Sequence, residues 1–167
     1  MAVTNVYSRI LMAYDGSESC RQALAQGACI AMQNAAEVHL LAVVRIPVAF
    51  GFVEAGYPEH YLDEEMVRVD GILAEGVALL QSQGLTARGH RRTGEPVLEI
   101  SRMAAELEVD LVVVGHRPRS RLARWWHGSV GTTLLEELSC SILVAMPRDT
   151  SANSSGYGLE HGVTDEA

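Results

Sequence analysis

An α/β domain wound in both directions around a parallel sheet is the fold this sequence predicts, and three observations predict it. Short apolar runs, several rich in β-branched residues, alternate along the chain with longer segments whose apolar positions recur every three or four residues. The run Leu111-Val112-Val113-Val114 is apolar on both faces, as the centre of a parallel sheet requires. The length of 167 residues, with 48% apolar composition and a mean hydropathy of +0.09, suits one domain with a substantial core. Right-handed crossovers then put helices on both faces of the sheet.

The first strand is Arg9 to Tyr14, an apolar run ending in Asp15-Gly16-Ser17, and a helix follows on Ala23, Leu24, Gly27, Ile30 and Ala31. Val38 to Val44 is the second strand, closed by Pro47 and a loop carrying Gly51, Gly56 and Pro58. Leu62, Met66, Val69, Leu73, Val77 and Leu80 mark the second helix, with Gly84 where a left-handed residue ends it. Thr86 to Thr93 is an arginine-rich third strand. Gly94-Glu95-Pro96 opens the third helix with proline in its first turn, where no amide donor is needed; Val97, Ile100, Ala104 and Leu107 are its inner stripe. Asp110 to Gly115 is the fourth strand, Gly128-Ser129 starts a fourth helix on Leu134, Leu135 and Leu138, and Ile142 to Met146 is the fifth strand. The polar third strand suits a sheet edge and the apolar first and fourth suit its centre, which fits the order 3-2-1-4-5. Residues 1–147 are expected to form the domain and 148–167, rich in Ser, Gly, Asn and acidic residues, a disordered tail.

Thirteen basic residues stand against twenty-one acidic ones, a formal net charge of -8, so neither nucleic acid nor an anionic membrane is an expected partner. Every basic residue is arginine. Without lysine there is no Schiff-base chemistry, no phosphate-loop lysine and no lysine general base. No basic leader precedes an apolar stretch at Met1 to Arg9 and no apolar run approaches the ~20 residues of a membrane span, so the expected location is the cytoplasm. Cys20, Cys29 and Cys140 form no C-x-x-C pair and are expected to be reduced core fillers. His39, His60, His90 and His161 have no partner at metal-ligand spacing, and Glu64-Glu65 and Glu136-Glu137 suit solvated helix faces.

Ligands of open parallel sheets sit beyond the carboxyl ends of the strands, where the winding reverses. That directs attention to Asp15, to the end of the second strand near Val43, and to the loop after Gly115. Gly128-Ser129 opens a helix, where free amides and the positive dipole end suit a phosphate, although Ser129 could simply cap that helix. Arg117, Arg119, Arg121 and Arg124 lie between Gly115 and Gly128, either as solvated surface or as guanidinium forks for phosphate oxygens, with Arg117 and Arg119 the candidates for contact. Asp15 could equally serve as the N-cap of the first helix. Trp125-Trp126 suits core or interface better than base stacking.

Asp15-Gly16-Ser17, Gly94-Glu95-Pro96, Val113-Val114-Gly115, Gly128-Ser129-Val130 and Cys140-Ser141-Ile142-Leu143-Val144 occur in the order in which they resemble a universal stress protein, from about Ser8 to Pro147. The resemblance implies the same strand order and a homodimer through the last strand, Ile142 to Met146. It also implies an adenine-nucleotide site. Asp15 would face the ribose or adenine, Val43 would offer backbone groups to the base, Gly128, Ser129 and Val130 would hold phosphates, and Ala13, Val114 and Gly115 would complete the crevice. ATP-binding members carry G-x-x-G-x(9)-G-[ST] after the fourth strand; here Gly115, Gly128 and Ser129 match and Pro118 replaces the middle glycine. Proline fixes φ and removes an amide donor, so one backbone contact is lost or the loop is rerouted.

The leading expectation is therefore a stress-response regulatory module that binds ATP or AMP, with Mg2+ accompanying the phosphates, and acts on a downstream protein partner. No general base or metal-binding carboxylate pair stands beside the phosphate loop, so hydrolysis is expected to be slow at most. The alternative, favoured by Pro118, is an interaction module of the same fold that does without nucleotide. An adenylating ATP pyrophosphatase would need S-G-G-x-D-S where this chain reads Asp15-Gly16-Ser17-Glu18-Ser19, and a phosphoacceptor receiver domain would need a lysine near the last strand.

Overall fold

The computed structural model describes residues 5–45, 60–115 and 137–146. In chain order these form β1 (Arg9–Ala13), α1 (Glu18–Asn34), β2 (Glu37–Val44), α2 (Tyr61–Ser82), β3 (Ala87–Thr93), α3 (Pro96–Glu106), β4 (Leu111–Gly115) and β5 (Ser141–Ala145). All the strand pairs are parallel and the order is β3-β2-β1-β4-β5, as the polarity of the strands predicts. The expected fourth helix and tail lie outside the described residues.

Strand parity sorts the core into two layers. Ile10 and Met12 of β1, Val38 and Leu40 of β2, and Leu111 and Val113 of β4 point to the side covered by α1 and α2, where they meet Leu24, Ala28, Ala31 and Leu80. Leu11, Leu41, Val112 and Val114 point the other way, onto Val97, Ile100, Met103 and Ala104 of α3. The inner strands are apolar on both faces because both faces are covered. β3 packs one face on α2, where Arg91 pairs with Asp70, and on its other face Arg88 and Arg92 pair with Glu37 and Glu106 respectively. Charge along an unpaired edge discourages strand addition.

Local chemistry fixes the element ends. Ser17 is the N-cap of α1, its hydroxyl accepting from the Cys20 amide at 3.3 Å. Gly84, just past α2, has φ +82°, the left-handed conformation its position predicts. Pro96 occupies the first turn of α3, and Gly94 N–H donates to Val44 O at 2.9 Å, tying the end of β3 to the end of β2. At the opposite, N-terminal ends of the central strands β1 and β4 the Asp110 carboxylate accepts from the amides of Ser8 and Arg9 at 2.6 and 2.9 Å. Those two bonds hold its pKa below the ordinary carboxylate range.

One expectation from the sequence is corrected here. Cys20 is buried and Cys140 half-buried, but Cys29 is exposed on α1 and fills no core. It falls one position beyond the inward residues Gly27 and Ala28, and a helix turns roughly 100° per residue, which carries it round to solvent.

Candidate functional site

The sheet reverses its winding between β1 and β4, since β2 and β3 continue on one side of β1 while β4 and β5 lie on the other. Their C-terminal ends, Ala13 and Gly115, lie at that reversal point. β1 hands over to α1 through Tyr14, whose amide donates to Leu41 O at 2.8 Å, and then through the turn Asp15-Gly16-Ser17. Gly16 takes φ +75°, and Ile72 of α2 closes to 3.2 Å from where a side chain would begin.

Asp15 is exposed, and its Oδ1 accepts from the Ser17 amide at 3.0 Å, closing the turn. Since Ser17 caps the helix, the capping role open to Asp15 in the sequence belongs to its neighbour. The carboxylate is thus oriented by the turn just past the C-terminal end of β1. Beneath it the Cys20 thiol is pushed up to about 11, mainly by burial and further by the Asp15 charge, so it stays protonated and is a poor nucleophile near neutrality.

Ala13 and Val43, near the C-terminal ends of β1 and β2, are half-buried and pack on the α3 side. Val114 is a core residue at 3% exposure, leaving its backbone as what it can offer a ligand. Gly115 has a structural requirement of its own: a Cβ there would lie 2.7 Å from Ser19 O and 2.9 Å from Cys20 N. The end of β4 and the first turn of α1 approach so closely that only glycine fits. Gly128, Ser129, Val130, Arg117, Arg119 and the Pro118 substitution lie outside the described residues, so the phosphate end of the predicted site is not among them.

Arg68 is a neighbour that sequence reasoning missed. It donates from Nε to Glu65 Oε2 at 2.8 Å, and the hydrogen bonding with Glu65, with a smaller contribution from the Asp15 charge, raises its pKa further. Glu65 is accordingly not a plain solvated residue: its side chain is 22% exposed, and the Arg68 hydrogen bonds hold its pKa down. The three-residue spacing flags the ion pair, but proximity to Asp15 depends on how α2 crosses the sheet. The histidines His39 and His90, 51 residues apart, also meet, with His39 Nδ1 at 3.0 Å from His90 Nε2.

A parallel sheet wound in both directions from β1, with helices on both faces, defines a doubly wound α/β domain. Comparison with known proteins narrows the class: the chain belongs to the universal stress protein family, whose model matches residues 7–145. It is 31% identical over 149 residues to the universal stress protein YxiE of Bacillus subtilis, covering 83% of this chain and 99% of that one. Its fold is similar to an Arabidopsis thaliana family protein with AMP bound, at a TM-score of 0.62 and 17% identity, covering 89% of this chain and 97% of the other. It is equally similar to the Archaeoglobus fulgidus universal stress protein in complex with dAMP, at a TM-score of 0.62 and 18% identity, over 83% and 98% of the two chains.

Proposed function

We propose that this protein is an adenine-nucleotide-binding regulatory module of the stress response, with its ligand in the crevice between the C-terminal ends of β1 and β4. The observation that carries the reading is the Asp15 turn: an exposed carboxylate, fixed by the Ser17 amide, at the C-terminal end of β1, with the half-buried Ala13 and Val43 near the ends of β1 and β2. A carboxylate accepts hydrogen bonds from ribose hydroxyls, and half-buried aliphatic groups suit the face of a base. The chemistry of these residues therefore fits a nucleoside. The AMP and dAMP in the two related structures support the same ligand class. Gly128, Ser129 and Val130, with Arg117 and Arg119, would take the phosphates of ATP or AMP, and Mg2+ would accompany a triphosphate.

The working form in this reading is a cytoplasmic homodimer paired through β5. That strand ends the sheet with Ile142, Leu143 and Val144 half-buried and Met146 57% exposed, and its outer backbone edge has no strand partner among the described residues. Turnover would be slow, and the output would be a change in contact with a protein partner. Pro118 favours a second reading, an interaction module that does without nucleotide. Purification under native conditions separates the two. Adenine nucleotide released from the denatured protein, at a substantial fraction of one per chain, supports the first reading; protein free of nucleotide that also fails to take up added AMP supports the second.

A further inference from the structure

On the α3 side of β2 and β3, away from the nucleotide crevice, two imidazoles meet in a setting that leaves their protons few places to go. His39, at 2% exposure, sits among the apolar strand residues of β2, and its Nδ1 lies 3.0 Å from Nε2 of the half-buried His90 on β3. The rings are tilted by 36° with centroids 5.2 Å apart, so the nitrogens meet edge to edge. The other nitrogen of His39, Nε2, is buried without a hydrogen-bond partner among the described residues, 3.8 Å from Glu37 Oε1. β3 is an edge strand, and this nitrogen pair is a side-chain bond from it to the sheet interior on the α3 face.

We propose that His39 and His90 form an acid-sensitive latch between β2 and the edge strand β3, closed while the pair holds no more than one extra proton and opened by the second. A neutral pair shares one N–H between the two nitrogens. One added proton leaves an imidazolium donating to an imidazole, and the bond survives. With two added protons both nitrogens are donors, and two N–H groups then face each other at 3.0 Å, each on a cation. His90, the more exposed of the two, must swing away.

The surroundings make the second proton costly. Arg88 and Arg92 flank His90 on β3, and Arg9 of β1 adds positive charge near His39. The negative groups facing the pair are already engaged: Glu37 of β2 has Arg88 Nη1 3.0 Å from its Oε1, and Glu106 of α3 pairs with Arg92. Burial is the largest cause lowering the pKa of both histidines, followed for His90 by the arginines, and Glu37 opposes it only at His39. Both groups bind protons more readily in an opened strand, so acid favours opening. The same cationic setting, with two nitrogens as the donor set, argues against a metal between the rings.

What opens is local. The other face of β3 stays on α2, where Gly89 packs against Leu73 and Val77 and Arg91 pairs with Asp70, so β3 loosens without leaving the sheet. The direct test follows the imidazole resonances of the intact protein by NMR, together with amide hydrogen exchange of residues 87–93 corrected for intrinsic rates. Between about pH 7.5 and about pH 5 the proposal expects protection in β3 to fall at least ~10-fold relative to β1 and β4, with the two rings titrating in separate, mutually dependent steps below the ordinary histidine value of about 6.5. In His39→Leu/His90→Leu the selective loss should vanish. Independent titration of both rings near the ordinary value would overturn the latch. So would equal loss of protection in β1 and β3, or the same β3 loss in the double variant. If the double variant does not fold, the wild-type ring titration decides alone.

Discussion

Replacing Gly115 by alanine adds one methyl group at the tightest backbone contact of the crevice. Its Cβ would stand 2.7 Å from Ser19 O, 2.8 Å from Ser19 C and 2.9 Å from Cys20 N. These are main-chain atoms in the capped first turn of α1, so no side-chain rotation relieves the clash. Carbon–oxygen contacts settle at about 3.3 Å or more, so β4 and α1 must separate by roughly 0.6 Å. Such overpacking costs ~1–3 kcal/mol, and the unyielding neighbours argue for ~2–3. For a chain of this size each kcal/mol lowers Tm by ~2–4 °C, so thermal unfolding followed by circular dichroism should show a fall of about 4–12 °C. The measurement needs no nucleotide, which separates the packing role of Gly115 from any contact with ligand. A Gly115→Ala protein with unchanged Tm would refute the close approach and leave a ligand role as the reason for glycine.

Two glycines of α2 should respond in opposite directions. Gly71 has nothing within 4 Å of its added Cβ, so Gly71→Ala should gain the helix propensity difference of ~0.8–1 kcal/mol; at Gly76 the new carbon would meet Leu40 at 2.5 Å and Tyr14 at 2.9 Å, so overpacking should exceed that gain and Gly76→Ala should destabilise in urea titrations. Asp110→Ala should cost ~2 kcal/mol by freeing the Ser8 and Arg9 amides. Because the folded-state pKa of Asp110 is depressed, its stabilisation is present above the ordinary value of about 3.9 and is lost as pH falls through the lower folded value. A stability profile in which wild type and Asp110→Ala converge in acid checks this. Val144→Asp should convert the proposed dimer to monomer in light scattering, by placing a charge in the half-buried row of β5; an unaffected dimer moves the interface elsewhere.

The strand order was legible because polarity and position agree: a strand reading Arg88, His90, Arg91, Arg92 is a poor centre and a good edge, and it is the edge. The positions of Ala13, Asp15, Val43, Val114 and Gly115 were legible because each lies at or just past the C-terminal end of β1, β2 or β4, which the topology makes neighbours. The division of labour inside Asp15-Gly16-Ser17 was not. Asp and Ser both accept backbone N–H bonds, and the exit angle of β1 decides which closes the turn and which caps the helix. Arg68 and the His39–His90 pair were hidden for a different reason. They join residues far apart in sequence, and the side-chain meeting needs the register His39↔Arg88 and Leu41↔His90, which pattern reading does not supply. For Gly115 the sequence offered a ligand motif, and the structure adds a packing need that the same residue satisfies.

The central claim is that the crevice beside Asp15 binds an adenine nucleotide despite Pro118. Isothermal titration calorimetry of nucleotide-free protein with ATP and AMP tests it most directly. The account predicts dissociation constants in the micromolar range, about -8 kcal/mol, weakened at least ~10-fold by Gly128→Val, which sets a side chain where phosphate must approach the amides. Pro118→Gly should bind equally well or more tightly. Absence of ATP or AMP binding below about millimolar concentration, with no recovery in Pro118→Gly, would contradict the claim.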